Sequence, residues 1–225
     1  MNIWAPESSA SGSLTGELLQ LIAEGDITRD GWLRETDAAR MLGVSRTPIR
    51  AALRELAGMG VVVLEPNRGA RVRAYSSTEI EEIYRSRALV EPYVVGIAVP
   101  RFRPHDLDML RDLSARMRAL EAGPSYSAEV SALNREFHMR FIQVARDHPL
   151  AGAAVSMLVP LLLQKVMHSY DATQSQRSMD QHDELITAAE FGDAQWAASI
   201  MKTHILGGLN QFKRAVSVEL NEPPN

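Results

Sequence analysis

The first third of the chain combines helical spacing of apolar residues with a single hairpin pattern. Apolar side chains recur at helical intervals in three segments, residues 13–25, 35–42 and 45–59. Residues 31–33 are expected to form a loop or a short extended segment. The β-branched run at 61–65 and the segment at 70–74 flank the turn sequence Pro66-Asn67-Arg68-Gly69, which predicts a two-stranded hairpin. Three helices followed by two strands are the layout of a winged helix-turn-helix domain.

Beyond residue 75 the apolar residues follow long helical periods. Ser76 and Glu79 offer a capping box for a helix that runs to about residue 99, with a kink at Pro92. Five further helices are expected, at residues 105–121, 128–145, 149–170, 178–191 and 194–217. The predicted fold is mainly α. It consists of a winged helix-turn-helix domain at 13–75, an all-helical bundle at 76–217, and tails at 1–12 and 218–225.

The composition narrows the class of protein. The 225 residues are 45% hydrophobic and 23% charged, which is ordinary for a globular protein. Cysteine is absent, so disulfide scaffolds, thiolate metal sites and cysteine nucleophiles are excluded. No secretory signal is recognisable near Met1, and the most apolar stretch, residues 151–163, is too short to span a bilayer. We expect a soluble cytoplasmic protein with no membrane partner.

Positive charge is concentrated in the predicted winged domain, although the whole chain has a formal net charge of −4. Between Arg40 and Arg73 there are seven arginines and only two glutamates. Arginine reads guanine edges and binds phosphate oxygens through its forked donors. The cluster indicates nucleic-acid binding, and a solvated charged face is the alternative interpretation.

The third predicted helix separates apolar from basic positions. Its apolar stripe consists of Ile49, Ala52, Leu53 and Leu56. At about 3.6 residues per turn, Thr47, Arg50 and Arg54 fall on the opposite side. Arg46 lies at the amino-terminal edge, directly after the capping residue Ser45. A helix that presents arginines from its first turn suits the major groove of DNA.

Three histidines lie on the inward faces of three different predicted helices. His138 borders the apolar stripe of its helix, and Asn134 lies one turn before it. His182 and His204 lie in a similar way among apolar residues of later helices. Together the three imidazoles could form a site for one divalent metal inside the bundle. Histidines that serve only as hydrogen-bonded core residues are the alternative.

The sequence also resembles a known family. The run LGVSRTPIRAALRELAGMGVV, followed by PNRGARV, resembles the DNA-binding domain of the GntR family of bacterial transcription regulators. The helical remainder resembles the ligand-binding FCD domain of that family's FadR-type branch. The resemblance implies a ligand-responsive DNA-binding transcription regulator, a repressor of a catabolic operon. It also implies a homodimer, because two such helices read the half-sites of a palindromic double-stranded DNA operator.

The resemblance assigns DNA-binding roles within the winged domain. The matching positions are Ser45, Arg46, Thr47 and Arg50 on the recognition helix and Asn67, Arg68 and Gly69 at the wing tip. In the family the wing tip enters the neighbouring minor groove. Thr36 occupies a position at which some relatives place a DNA-contacting arginine, and threonine here departs from that pattern.

The resemblance also implies a metal site and an effector. Metal-binding FCD domains use an Asp-x-x-x-His pair and two further histidines. The corresponding residues here are Asn134, His138, His182 and His204. Asparagine keeps an oxygen ligand but brings no charge, so weaker metal binding is expected. We expect one divalent metal per chain, zinc first with nickel and manganese as alternatives, and a small carboxylate effector. Arg87 matches an FCD arginine that could pair with the effector, or only with Glu91 one turn later.

Two other functions fit parts of this pattern. A constitutive DNA-binding protein with a purely structural metal, or with a metal-free FCD pocket, would keep the same histidines. A metalloenzyme would need a general base beside the metal. The acidic residues next to the histidines are Glu136, Asp183 and Glu184, and helical spacing turns them away from the ligand face. The sequence therefore predicts a regulator and not an enzyme.

Overall fold

The computed structural model describes residues 13–24, 31–66, 68–121, 123 and 125–221. The chain divides into two compact units between Ala74 and Tyr75. The predicted tail at 1–12, the expected helix end at Gly25 and the wing residue Asn67 lie outside the described residues. The described chain is mainly helical with one small sheet in its first unit, which confirms the predicted fold class.

The first unit is a winged domain with three helices and three strands. Its elements are α1 (Leu14–Glu24), β1 (Trp32–Leu33), α2 (Glu35–Met41), α3 (Arg46–Gly58), β2 (Val62–Glu65) and β3 (Gly69–Val72). β2 and β3 form the predicted antiparallel hairpin. The expectation of a two-stranded sheet is wrong, because β1 adds to the free edge of β3 and the strand order is β1-β3-β2.

The close approach of β1 to β3 explains the glycine at the start of β3. Gly69 has a φ of +102°, a conformation that residues with a side chain rarely adopt. A Cβ at this position would lie 2.6 Å from the carbonyl oxygen of Leu33. Gly69 therefore has a structural role in the sheet, independent of any contact with DNA. The core beneath the sheet includes the fully buried side chains Leu18, Leu33, Ile49, Leu56 and Ala70.

The second unit is all-helical in its described part. Its helices are α4 (Ser77–Ala98), α5 (Pro104–Ala119), α6 (Tyr126–Val144), α7 (Pro149–Met157), α8 (Pro160–His168), α9 (Ala172–Glu190) and α10 (Ala194–Asn221). A 3-10 turn at Val99–Arg101 follows α4. The long helix α10 packs along α4 and α9, while α4 also contacts α6 and α7. Residues that face inward from α4, α6, α9 and α10 therefore meet inside the bundle.

Local signals explain where α4 begins. The Ser76 hydroxyl accepts a hydrogen bond from the backbone N–H of Glu79 at 3.2 Å. In return the Glu79 carboxylate accepts one from the backbone N–H of Ser76 at 2.9 Å. This confirms the predicted capping box. Pro92 lies inside the helix, which continues through it to Ala98.

Three helix boundaries differ from the prediction. The prediction of a single helix at 149–170 is wrong, because α7 ends at Met157 and α8 begins at Pro160. The break precedes Pro160 because proline lacks an N–H and disfavours helix in the residue before it. α9 begins at Ala172 and not at 178, because the Asp171 carboxylate accepts a hydrogen bond from the backbone N–H of Gln174 at 2.7 Å and caps the helix. α10 continues to Asn221, four residues into the predicted tail.

No single described helix is long and apolar enough to cross a membrane. Only α7 and α8 taken together, bent by 55° at the break between them, reach such a length and composition.

Candidate functional site

Helix α3, the predicted recognition helix, has the two faces that its sequence predicts. The four stripe residues Ile49, Ala52, Leu53 and Leu56 are buried. Arg46, Thr47, Arg50 and Arg54 are exposed, and Arg54 makes no ion pair with any described residue. Ser45 occupies the N-cap position with an extended backbone, but its side chain makes no capping hydrogen bond in the described structure. The expected side-chain cap is therefore absent there, and the Ser45 hydroxyl is exposed.

Glu35, at the first position of α2, holds two of these arginines in place. Its carboxylate accepts two hydrogen bonds from Arg50, from Nε and an Nη atom, each at 2.9 Å. A third comes from an Nη atom of Arg46 at 3.1 Å. No sequence pattern indicated Glu35, because residues 11 and 15 positions apart are brought together only when α2 packs against α3. The arginines thus point in a defined direction before any DNA is bound.

The electrostatics of Glu35 follow from this contact. Its hydrogen bonds with Arg50, assisted by Arg46, lower the pKa of the Glu35 carboxyl to about 2, although partial burial opposes the shift. The carboxylate is therefore ionised at neutral pH and neutralises part of the positive charge on α3. Both arginine side chains are more than half exposed, at 60% for Arg46 and 51% for Arg50, so phosphate oxygens could reach them.

The remaining predicted DNA-binding residues are at the surface. Thr36 is exposed on α2. Arg68 is exposed beside the hairpin turn, with its guanidinium 5.8 Å from the centre of the Trp32 ring and 3.9 Å from the Glu65 carboxylate. These contacts orient Arg68 only weakly, because both are at the exposed edge of the sheet.

The three predicted metal-ligating histidines meet inside the helical unit. His138 on α6, His182 on α9 and His204 on α10 are all buried. Each offers a ring nitrogen, and these nitrogens lie within 4.8 Å of one another. The Nε2 atoms of His138 and His204 are 3.3 Å apart. Asn134 is buried one turn before His138, and its Oδ1 atom has no hydrogen-bond partner among the described residues.

A buried ion pair supports this cluster from α4. The Glu91 carboxylate accepts a hydrogen bond from His138 Nδ1 at 2.6 Å and one from Arg87 Nε at 2.5 Å. Arg87 and Glu91 are 2% and 1% exposed, and the Arg87 guanidinium lies 4.6 Å from the centre of the Tyr84 ring. Arg87 therefore has the Glu91 contact that the sequence suggested, and a role in binding an effector stays a prediction. The contact of Glu91 with His138 was not predicted, because it depends on the packing of α4 against α6.

The protonation states suit metal coordination. Burial alone would raise the pKa of the Glu91 carboxyl. The contacts with Arg87 and His138 outweigh burial and lower this pKa to about 2. An ionised carboxylate only accepts hydrogen bonds, so His138 Nδ1 is the donor to Glu91, and the Nε2 atom of His138 faces His204. Burial also lowers the pKa of His182 and of His204 well below the usual range, so both rings are neutral at pH 7.

The donor set therefore fits a divalent cation. Three buried imidazoles converge on one point, and both ring nitrogens of His182 and the Nδ1 atom of His204 lack hydrogen-bond partners in the described structure. Buried polar atoms of this kind are costly unless something binds them. A three-histidine set suits zinc, and it also accepts nickel or manganese.

Two protein-family models match this chain. Residues 82–207 match the FCD domain, and residues 11–72 match the bacterial regulatory proteins of the gntR family. The gluconate operon transcriptional repressor of Bacillus subtilis (strain 168) is 28% identical over 199 residues, which cover 84% of this chain and 79% of the relative. The HTH-type transcriptional repressor GlaR of Escherichia coli (strain K12) is 22% identical over 205 residues, covering 87% and 92%.

Solved structures share the fold. E. coli McbR/YncC matches with a TM-score of 0.66 at 19% identity, covering 92% of this chain and 98% of that protein. A GntR transcriptional regulator from Rhodococcus sp. RHA1 matches with a TM-score of 0.63 at 22% identity, covering 89% and 96%. The FCD match alone spans more than half of the 225 residues. The chain therefore belongs to the GntR family of bacterial regulatory proteins, in the group that carries an FCD domain, and is a transcriptional regulator.

Proposed function

We propose that this chain is a ligand-responsive repressor that binds a palindromic operator as a homodimer, and that a small carboxylate bound at a divalent metal controls its affinity for DNA. The observation that carries the proposal is the convergence of three buried histidines in a chain that also exposes arginines on one face of α3. The names of the two relatives, both called repressors, support repression as the direction of control.

On the DNA side, α3 would enter the major groove with Arg46, Thr47 and Arg50 toward base edges and phosphates. Glu35 must yield its hydrogen bonds as the arginines engage the operator, or remain bound to one while the other reads a base. Both alternatives use the same exposed guanidinium groups, which face solvent on one side and the carboxylate on the other. Arg68 would contact the neighbouring minor groove from the wing.

On the effector side, the residues that would hold the metal are His138, His182, His204 and Asn134. When bound, the metal supplies positive charge and open positions for a carboxylate oxygen. Glu91 orients the His138 ring by accepting the Nδ1 proton. An incoming carboxylate finds the positive charge of Arg87 already balanced by Glu91.

Control of operator affinity requires that the effector bind two states of the protein unequally. We propose that the state with low operator affinity binds the carboxylate more tightly. Linkage then demands that operator DNA weaken carboxylate binding by the same factor. Operator affinity that falls to a finite plateau at saturating carboxylate would distinguish this control from direct competition with DNA.

A constitutive DNA-binding protein with a purely structural metal is the second candidate function. The complete burial of the three histidines favours it, because structural sites are closed to solvent. This candidate predicts no response of operator affinity to any acid and loss of folded structure on chelation.

The test of the proposed function is a fluorescence anisotropy titration of labelled DNA selected in vitro with the purified full-length chain. Zinc-loaded protein is titrated with and without a panel of organic acids, and at least one acid is expected to weaken DNA binding about tenfold, within the usual range of allosteric coupling. A panel without effect on DNA affinity would favour the constitutive candidate.

Metal analysis of tag-free protein tests the site itself. About one metal per chain is expected in the native protein, as for a single-ion site, and none in the His138→Ala, His204→Ala double variant. His105→Ala is the matched control, because this side chain is 62% exposed and lies outside the cluster. Equal metal content in all three proteins would place the metal elsewhere.

A further inference from the structure

Glu35 contacts two exposed arginines of α3 in different ways. Arg50 donates from Nε to one carboxylate oxygen of Glu35 and from Nη2 to the other, each at 2.9 Å. Arg46 donates from Nη2, at 3.1 Å, to the oxygen that Arg50 Nη2 also uses. Glu35 thus holds Arg50 at two points, which fixes the plane of its guanidinium group, and holds Arg46 at one point, about which that group can still rotate.

The contact with Glu35 uses one edge of the Arg50 guanidinium. Nε and Nη2 form the side edge of this planar group, whereas Nη1 and Nη2 form its outer edge. Each Nη atom carries two N–H groups, so Nη2 can donate to Glu35 and still contribute to the outer edge. The side chain of Arg50 is 51% exposed, while that of Glu35 is 19% exposed. Arg50 can therefore keep both hydrogen bonds to Glu35 while its outer edge donates to another group.

The outer edge of Arg50 matches one base in particular. Guanine presents two neighbouring acceptors, O6 and N7, in the major groove, and a forked arginine is their commonest partner. A guanidinium whose plane is already fixed loses less rotational freedom when it binds. Glu35 therefore lowers the entropic cost of a guanine contact by Arg50.

The negative charge of Glu35 acts differently on the two kinds of target that DNA offers. Its carboxylate is ionised at neutral pH, because hydrogen bonds from Arg50 and Arg46 lower its pKa to about 2. A phosphate group has a full negative charge, so a carboxylate beside the arginines repels it. Guanine O6 and N7 carry only partial charges and are repelled far less. Glu35 thus disfavours backbone contacts more than base contacts, and specificity is such a difference in affinity.

We propose that Glu35 determines the operator specificity of this regulator. It holds Arg50 by the side edge so that the outer edge reads a guanine, and its charge suppresses binding to the phosphates of unrelated DNA. Glu35 is a positioning residue, since it acts through Arg50 and need not touch DNA. The inference rests on the proposed function, in which α3 enters the major groove, and adds a residue of α2 as a source of selectivity.

Fluorescence anisotropy with DNA selected in vitro by the native full-length chain tests the inference. Each guanine of the selected duplex is replaced in turn by 7-deazaguanine, which pairs normally but lacks the N7 acceptor. At one guanine position the native chain is expected to lose about tenfold in affinity, and Glu35→Gln less than about threefold. Glu35→Gln is also expected to bind random-sequence DNA several-fold more tightly, with a salt dependence steeper by about one phosphate contact.

Two variants serve as controls. Glu55 is exposed on α3 and accepts a hydrogen bond from Thr15, so Glu55→Gln removes the same charge without altering the contact of Glu35 with the arginines. This variant should keep the native effect of 7-deazaguanine. Arg50→Lys removes the fork and should abolish that effect, and the addition of Glu35→Gln to it should change the effect no further.

Three results would overturn the inference. If Glu35→Gln keeps the native effect of 7-deazaguanine, Glu35 does not position Arg50. If the native chain binds its selected DNA but no guanine position is sensitive, Arg50 does not read a guanine. If Glu35→Gln binds random DNA no more tightly than Glu55→Gln does, its charge does not act at the arginines. A native chain that selects and binds no DNA would instead refute the proposed function itself. Circular dichroism confirms that each variant is folded.

Discussion

The buried ion pair between Arg87 and Glu91 should be the most sensitive electrostatic contact in the helical unit. Glu91→Gln keeps the size of the side chain but leaves the Arg87 charge without a counter-ion, at a position only 2% exposed. Removal of one partner of a buried pair typically costs about 3–5 kcal/mol, because the remaining charge stays desolvated. For a chain of this length that corresponds to a fall in Tm of roughly 10 °C. The substitution also leaves one amide oxygen in place of the two carboxylate oxygens that accept from Arg87 Nε and His138 Nδ1, so one of these two donors loses its acceptor.

The assay is urea denaturation in the presence of a chelator, so that metal binding contributes nothing to the measured free energy of unfolding. Glu81→Gln is the matched control. Glu81 lies on the same helix and also binds two cations, Arg85 and Lys213, but this cluster is at the surface. Exposed pairs of this kind contribute little, so we expect its denaturation midpoint to stay close to that of the native chain.

A double variant separates charge from packing. Arg87→Met with Glu91→Leu replaces the pair by apolar side chains of similar size, and such replacements are often neutral or stabilising. We therefore expect it to be more stable than Glu91→Gln alone. If Glu91→Gln loses no more stability than Glu81→Gln, the buried pair does not have the energetic role that its burial indicates.

Three further predictions concern other parts of the chain. Ion pairing with Arg50 and Arg46 lowers the pKa of Glu35 from 4.5 to about 2, so the stabilisation from this contact is present above pH 4.5 and is lost as the pH falls toward 2. The Tm difference between the native chain and Glu35→Gln should therefore shrink over that range. A constant Tm difference would contradict a stabilising role of the Glu35 carboxylate. Gly69→Ala should destabilise the winged domain more than Gly43→Ala in thermal melts. Both glycines have a positive φ, but only a Cβ at position 69 would lie 2.6 Å from the Leu33 carbonyl oxygen. Equal losses of Tm would mean that the sheet adjusts to the added Cβ. Zinc at about 100 times its Kd should stabilise the native chain by about 2.7 kcal/mol. Neither zinc nor chelator should shift the Tm of His138→Ala. A zinc-dependent Tm shift in His138→Ala equal to that of the native chain would mean that His138 is not a ligand.

Features that depend on local periodicity could be predicted from the sequence. The buried stripe of α3 and the capping box of α4 follow from residues three or four positions apart, and the structure confirms both. The inward direction of His138, His182 and His204 follows in the same way, because each is in phase with the apolar residues of its own helix. Their convergence on one point depends on how three helices pack, which periodicity within a helix does not determine.

Contacts between distant positions could not be predicted. The strand β1 has only two residues, and no pattern distinguishes it from a loop until β3 offers a free edge. Glu35 reaches Arg50 because α2 packs on α3, and nothing in the sequence near Glu35 marks this pairing. The missed break before Pro160 is a different case: its signal was local, since proline removes a backbone donor, but a continuous apolar run masked it.

By itself, the sequence determined the helical character of the chain, the basic face of α3 and the candidate ligands of a metal site, because each is encoded by residue type and short spacing. Only the tertiary structure decided which side chains balance those charges. It placed Glu35 against two recognition arginines and Glu91 between Arg87 and His138. It also buried Gln174, Ser178 and His182 on the inward face of α9. The physical reason is that hydrogen bonding and desolvation depend on what packs against a residue, and that neighbour is set by the fold and not by the adjacent sequence.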